Sequence, residues 1–168
     1  MLTNQKLYKY LLAFGSNVGN RHQNLNKSLI LLEEYICITK QSVWSETTPL
    51  KHPEFNTNDH ENYVNFVCEA ESRLNPAELY ENIKKIENII GHPRERRWMP
   101  RSLDVDILFC VQGDTNTPFL KGKPFPFKGA PDLNVPHKEY YNRLFWRHMV
   151  EKELNIPEEF LAKHFEHD

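Results

Sequence analysis

Asp104 and Asp106 stand in the run Leu103-Asp104-Val105-Asp106-Ile107, directly after a segment that holds Arg94, Arg96, Arg97 and Arg101 and is broken by Pro93 and Pro100. In an extended chain, alternate side chains leave on opposite faces. Leu103, Val105 and Ile107 then enter a core, while the two carboxylates share the other face, about 7 Å apart along the chain. Like charges this close repel unless a cation lies between them. Mg²⁺ takes oxygen ligands and is commonly held by one or two carboxylates plus substrate phosphates. Taken alone, the carboxylate pair reads as a solvated acidic strand edge. The arginines beside it supply the complementary part, because guanidinium groups grip phosphate oxygens in bidentate fashion. Together they read as a Mg²⁺–polyphosphate site. A second pair, Tyr63 and Asn65, shares one strand face. An aromatic ring beside an amide suits a flat heterocycle, stacked by one and hydrogen-bonded by the other. The plainer reading of that pair is an ordinary amphipathic strand.

The elements that must position these residues are legible from periodicity and punctuation. Leu7–Phe14 reads as a strand, ended by Gly15-Ser16-Asn17, and Asn20–Tyr35 carries Leu25, Leu29 and Leu32 at helical spacing. Ile36–Glu46 reads as a second strand, and 47–62 as a long polar loop. Tyr63–Ser72 alternates, with Val64, Phe66, Cys68 and Ala70 on one face and Tyr63, Asn65, Val67 and Glu69 on the other. Asn75-Pro76-Ala77-Glu78 combines an N-cap, a first-turn proline and a capping-box glutamate; the helix it starts runs through Leu79, Ile83, Ile86 and Ile90 to a C-cap at Gly91. After the arginine-rich loop, Leu103–Val111 is a further strand. Gln112–Asp132 is glycine- and proline-rich and reads as irregular. Lys138–Leu154 reads as helical, and 155–168 as a polar tail. The order β-α-β-β-α-β in one domain over 1–168 predicts an α+β, ferredoxin-like fold, with helices packed on the sheet in three α/β/α layers.

Composition narrows the classes. The chain has 168 residues, 39% hydrophobic and 26% charged, as in an ordinary globular domain. With a net charge of −2 there is no global attraction to nucleic acid or to an anionic membrane. No apolar run approaches the roughly 20 residues of a membrane span. The start reads as a first strand, not a signal peptide. Cys37, Cys68 and Cys110 are far apart in apolar settings without a CxxC pair, so they read as reduced core thiols of a cytoplasmic protein.

One longer match adds to these readings. Arg97-Trp98-Met99-Pro100-Arg101-Ser102-Leu103-Asp104-Val105-Asp106-Ile107 resembles the RWGPR-x-LDxDI signature of the 6-hydroxymethyl-7,8-dihydropterin pyrophosphokinase family. Phe14–Asn17 (FGSN), Thr47–Leu50 (TTPL), Tyr63-Val64-Asn65, Glu87 before Gly91, Val135-Pro136-His137 and Asn142-Arg143-Leu144-Phe145 resemble its other motifs in order, over about residues 8–146. The resemblance implies transfer of pyrophosphate from ATP to the hydroxymethyl oxygen of the pterin, leaving AMP, in folate biosynthesis. It implies that Asp104 and Asp106 hold two Mg²⁺ ions and that Arg94, Arg97 and Arg101 are catalytic arginines on the phosphates. Trp98 would cover the site. Tyr63 and Phe145 would sandwich the pterin, read at its polar edge by Asn65 and the backbone of Thr47, Thr48 and Leu50. Glu87 and the Ile107 backbone would meet the nucleoside, and His137 and Arg143 the triphosphate. The partners are then small molecules alone, and the expected state is a monomer not fused to other folate-pathway domains.

The chain departs from the family pattern in places. Met99 stands where the family usually has glycine. Gly91-His92 replaces a Gly-Arg, and the segment from Gly91 to Trp98 is one residue short, with Arg94 the nearest arginine. The segment 119–131 resembles an insertion, and the match after Phe145 is weak. Two other readings compete: a weakened relative that binds nucleotide and pterin without turnover, and a ferredoxin-like sheet that binds RNA. The carboxylates at the base of the basic loop speak against RNA.

Overall fold

The computed structural model describes residues 6–48, 61–91, 100–129 and 132–165. The central strand β1 spans Leu7–Ser16, all of it buried. It continues two residues past the expected end, so Gly15 and Ser16 are still paired. Helix α1 (Arg21–Leu32) starts at Asn20, whose side chain accepts from Gln23 N at 3.0 Å. It ends at Leu32, three residues before the expected Tyr35.

The strand expected over Ile36–Glu46 is two strands, β2 (Cys37–Gln41) and β3 (Ser45–Thr47), both antiparallel to β4 (Tyr63–Ser72). The break has a cause. Ser42 is buried and donates its backbone N–H to Val67 O, while its hydroxyl accepts from Val67 N at 2.9 Å. A side chain thus takes over part of the ladder. Val43 then turns outward, its N–H donating to Glu153 Oε1 at 2.8 Å.

β4 has the bounds and the two faces that its alternation predicts. Helix α2 (Pro76–Ile90) shows the capping box at Asn75 and Glu78 and a left-handed Gly91 at φ 119°. That conformation favours glycine. β5 (Asp104–Gly113) carries a bulge: Leu11 faces Phe109 and Leu12 faces Ile107, so Leu108 is the extra residue.

The described residues of the region 112–132 are more regular than expected. A 3₁₀ turn (Phe119–Lys121) buries Phe119, and β6 (Lys123–Pro124) pairs with the edge of β5. β7 (Phe127–Gly129) pairs with β8 (Leu133–Val135) as a separate ribbon.

The C-terminal part also differs from expectation. In place of one helix over Lys138–Leu154 there is a 3₁₀ turn (Tyr140–Asn142), helix α3 (Leu144–His148) and a π-helical turn (Met149–Glu153), because Arg143 is extended. The expected polar tail holds helix α4 (Glu158–Phe165). Its Leu161 is buried, as is Ile156 before it, and Arg147 grips Glu158 at 2.7 Å. Among the cysteines, Cys68 and Cys110 are buried free thiols, but Cys37 is exposed on β2, contrary to its expected place in the core.

The main sheet runs β2-β4-β1-β5-β6, with all neighbours antiparallel. This is the strand order of the ferredoxin-like plan. One face packs Tyr10, Leu12, Phe14, Phe66 and Ile107 against Leu25 and Leu32 of α1 and Leu79, Ile83 and Ile86 of α2. The other packs Leu11, Ala13, Val67, Leu108 and Phe109 against Tyr140, Trp146, Met149, Val150 and Leu161. The fold is therefore α+β in three layers. Among the described residues no helix is long and apolar enough to cross a membrane.

Candidate active site

Two cross-strand rows build the site on the second face of the sheet. Gly15 of β1 lies between Asn65 of β4 and Asp104 of β5, and Ala13 lies between Val67 and Asp106. Directly opposed residues of antiparallel strands share a face. Tyr63, Asn65, Asp104 and Asp106 therefore stand on one floor, whose central strand carries only small side chains. A Cβ on Gly15 would meet Asn65 Oδ1 at 2.9 Å and the Tyr63 ring at 3.2 Å. Gly15 is needed for close approach, not for a turn. FGSN could be matched in the sequence, but this requirement appears only once the neighbouring strands are known.

Asn65 is 6% exposed, and its amide donates to the Thr47 hydroxyl at the end of β3. Its carbonyl oxygen is thereby aimed toward Gly15. Thr48 is exposed immediately beyond. Asn17 joins the neighbouring segments: its Oδ1 accepts from Arg101 N at 2.7 Å, its backbone N–H donates to Arg101 O, and its Nδ2 donates to Glu61 O at 3.3 Å. It is 2% exposed, and only the match to FGSN pointed to it.

The carboxylates are partly exposed, and each has one cationic or donor partner. Arg101 Nη1 lies 3.2 Å from Asp104 Oδ1, and His137 Nε2 lies 3.4 Å from Asp106 Oδ1. His137 Nδ1 accepts from the Glu139 N–H at 3.1 Å, so a neutral ring carries its proton on Nε2, facing Asp106. His137 is docked on β5 through its own N–H, which donates to Leu108 O. Burial and the neighbouring Asp106 push the Asp104 carboxyl up, outweighing Arg101, Lys84 and Arg143. Burial also acts on Asp106, but the His137 hydrogen bond and charge, with Arg143 and Lys84, hold it below the ordinary carboxylate range. One carboxylate thus lacks full compensation. Burial, then Asp104, raises the Tyr63 hydroxyl to about 12, while Arg101 and Arg143 oppose the rise. These groups share one electrostatic neighbourhood.

Glu87 is the residue expected to meet the nucleoside. It has no exposed surface: Oε1 takes Lys84 Nζ at 2.8 Å and Oε2 accepts from Val105 N at 2.9 Å. It braces β5 from behind the carboxylates. Burial, then Asp104, raises it to about 7 despite Lys84. Ile107 points its side chain into the core. Phe145 is half-buried against the second core, and Arg143 stacks on Trp146 with Cζ 4.3 Å from the ring centre. Leu50, Arg94, Arg97, Trp98, His92 and Met99 lie outside the described residues.

One floor of this ferredoxin-like sheet thus joins an aromatic ring and an amide to paired carboxylates, with an arginine and a histidine beside them. The family profile of 7,8-dihydro-6-hydroxymethylpterin-pyrophosphokinase matches residues 11–152. The chain is 35% identical over 136 residues to the 2-amino-4-hydroxy-6-hydroxymethyldihydropteridine pyrophosphokinase of Bacillus subtilis, covering 80% of this chain and 71% of that protein. It is 36% identical over 124 residues to the enzyme of the same name from Aquifex aeolicus, covering 74% of each. It is also 29% identical over 136 residues to the bifunctional protein FolKE of Lactococcus lactis subsp. cremoris, of which it covers 34%. The chain belongs to the 7,8-dihydro-6-hydroxymethylpterin-pyrophosphokinase family. Its activity is transfer of pyrophosphate from ATP to 6-hydroxymethyl-7,8-dihydropterin in folate biosynthesis.

Proposed function

We propose that this transfer takes place over Asp104 and Asp106, with the pterin on the β4 side of the floor and the triphosphate on the β5 side. The observation that carries this reading is the row Asn65–Gly15–Asp104, which joins the acceptor platform directly to the carboxylates. In the reaction the pterin alcohol oxygen bonds to the β-phosphorus of ATP. The bond from that phosphorus to the oxygen shared with the α-phosphorus breaks, AMP leaves with the electron pair, and the alcohol proton is released. Such a transfer needs alignment and charge neutralisation more than covalent help.

Asn65, fixed by Thr47, reads the pterin edge. Tyr63 and Phe145 hold its faces, and the backbone of Thr47, Thr48 and Leu50 completes that edge. Arg101, Arg143 and His137 receive phosphate oxygens, joined by Arg94 and Arg97 from the arginine-rich segment, whose Trp98 covers the site. The Ile107 backbone meets the nucleoside, and Glu87 supports that contact by holding β5 in place.

Asp104 and Asp106 fit Mg²⁺. They offer oxygen donors on one face, and Arg101 only partly offsets the burial and the Asp106 charge that raise the Asp104 carboxyl. Two Mg²⁺ ions held there would neutralise charge on the phosphates and polarise the alcohol.

The RNA-binding reading finds less support, because α3, the π-helical turn and α4 cover the sheet face that an RNA-binding sheet leaves open. We further read the enzyme as a cytoplasmic monomer. Buried free thiols suit a reducing compartment, and the exposed large apolar residues among those described (Ile30, Val43, Ile89, Leu120, Tyr141 and Leu144) are spread over several elements. The test is AMP formation from ATP and Mg²⁺ with and without the pterin, in the wild type and in Asp104→Asn and Asp106→Asn. AMP that depends on the pterin and on both carboxylates supports the reading. Unchanged rates in the variants overturn it.

A further inference from the structure

Trp146 lies outside every motif that the sequence brought forward, yet it touches two residues of the proposed triphosphate side. It is 3% exposed at the top of the second core. The Arg143 guanidinium lies over its indole, 4.3 Å from the ring centre. The His137 ring stands against it at 5.1 Å with planes 83° apart.

The charges around Arg143 make this arrangement informative. Asp104 and Asp106 are near enough for Arg143 to lower both, yet among the described residues Arg143 forms no salt bridge with a carboxylate. An aromatic face holds a guanidinium without consuming its N–H donors. Among the described residues those donors stay free for an anion. His137 is likewise bounded on three sides: Asp106 at Nε2, the Glu139 N–H at Nδ1 and the indole against its ring.

We propose that Trp146 is the positioning residue for the triphosphate-binding pair: one indole holds Arg143 and His137 together beside Asp106 and keeps the guanidinium donors off the carboxylates. It acts through these two residues and does not touch the substrate. The inference rests on the proposed placement of ATP, and it extends that placement to a side chain otherwise read as core filling.

The experiment measures binding of α,β-methylene ATP, AMP and 6-hydroxymethyl-7,8-dihydropterin by calorimetry with Mg²⁺, using the full chain. The variants are Trp146→Leu, Trp146→Phe, Arg143→Ala and the Arg143→Ala/Trp146→Leu double. Trp146→Leu is expected to weaken the ATP analogue about fivefold to thirtyfold. AMP and pterin binding stay within about twofold. Trp146→Phe, which keeps an aromatic face, restores most of the loss. In the double variant the Trp146→Leu effect shrinks, since the cation it holds is gone.

Equal weakening of all three ligands means Trp146 only fills the core, and the inference fails. It fails too if Trp146→Leu binds the analogue as the wild type does, or if the single effects add. Should Trp146→Leu not fold, Trp146→Phe against Trp146→Met carries the same comparison. A wild type that binds the analogue no more tightly than AMP overturns the placement of ATP itself, and the inference with it.

Discussion

Gly15→Ala isolates the close approach on which the pterin side of the site depends. The added Cβ would stand 2.9 Å from Asn65 Oδ1 and 3.2 Å from the Tyr63 ring. Ordinary carbon–oxygen contact needs roughly half an ångström more. The backbone of β1 is fixed by ladders on both sides, so the side chains must give. Asn65 is almost fully buried, and its amide is engaged with Thr47; swinging it away breaks that bond and turns its oxygen off the floor. Losing a hydrogen bond to the ligand, with a buried polar group left poorly paired, costs about 1–2 kcal/mol, or about fivefold to thirtyfold in affinity. The fold should lose little, because replacing glycine in a strand interior returns about 0.5–1 kcal/mol of backbone entropy. Calorimetry with the pterin, alone and with a non-hydrolysable ATP analogue, reads the effect. The expected result is weaker pterin binding, unchanged nucleotide binding and a Tm within about 3 °C of the wild type. Pterin binding equal to that of the wild type would refute the claim that Gly15 sets the position of Asn65 and Tyr63.

Two other perturbations follow from the packing and the charges. Leu161→Ala removes a 1%-exposed side chain of α4 and should cost about 2–4 kcal/mol, read as a lower urea midpoint; a solvated tail would show no change. Glu87, raised to about 7 by burial and Asp104, binds its proton more tightly folded than unfolded, where a carboxyl titrates near 4.3. Its contribution therefore favours the fold at low pH and is lost as pH rises from the unfolded carboxylate range through about 7. Glu87→Gln should flatten that part of the stability profile, by about 1–3 kcal/mol between pH 5 and pH 8 in urea titrations; an unchanged slope would mean that Glu87 is ionised throughout.

Local signals carried the elements that local chemistry decides. β4 was legible because its alternation is clean, and α2 because Asn75, Pro76, Glu78 and Gly91 each mark an end of the helix. The break between β2 and β3 was not, since it turns on Ser42 reaching a strand distant in sequence. The sequence of the C-terminal layer reads as helix and polar tail because charged residues recur throughout it, and only the second core shows what Ile156 and Leu161 cover. In the site, the two carboxylates and the Tyr63–Asn65 pair could be placed on strand faces from spacing alone. That these faces are one and the same depends on β1 lying between β4 and β5, which no single strand encodes. Glu87 was visible as a helix-end glutamate, while its burial depends on the edge of β5 that it caps. Trp146 gave no signal, being one aromatic residue in a short irregular helix.

The most direct test of the account is the pterin-dependent rate of AMP release in Asp104→Asn and Asp106→Asn, measured with saturating Mg²⁺ and with pterin binding checked in parallel. Both variants should bind the pterin and lose about a hundredfold or more in rate, since the charge that the phosphates develop is no longer met. A variant that turns over at the wild-type rate would contradict the central claim that the transfer takes place over this carboxylate pair.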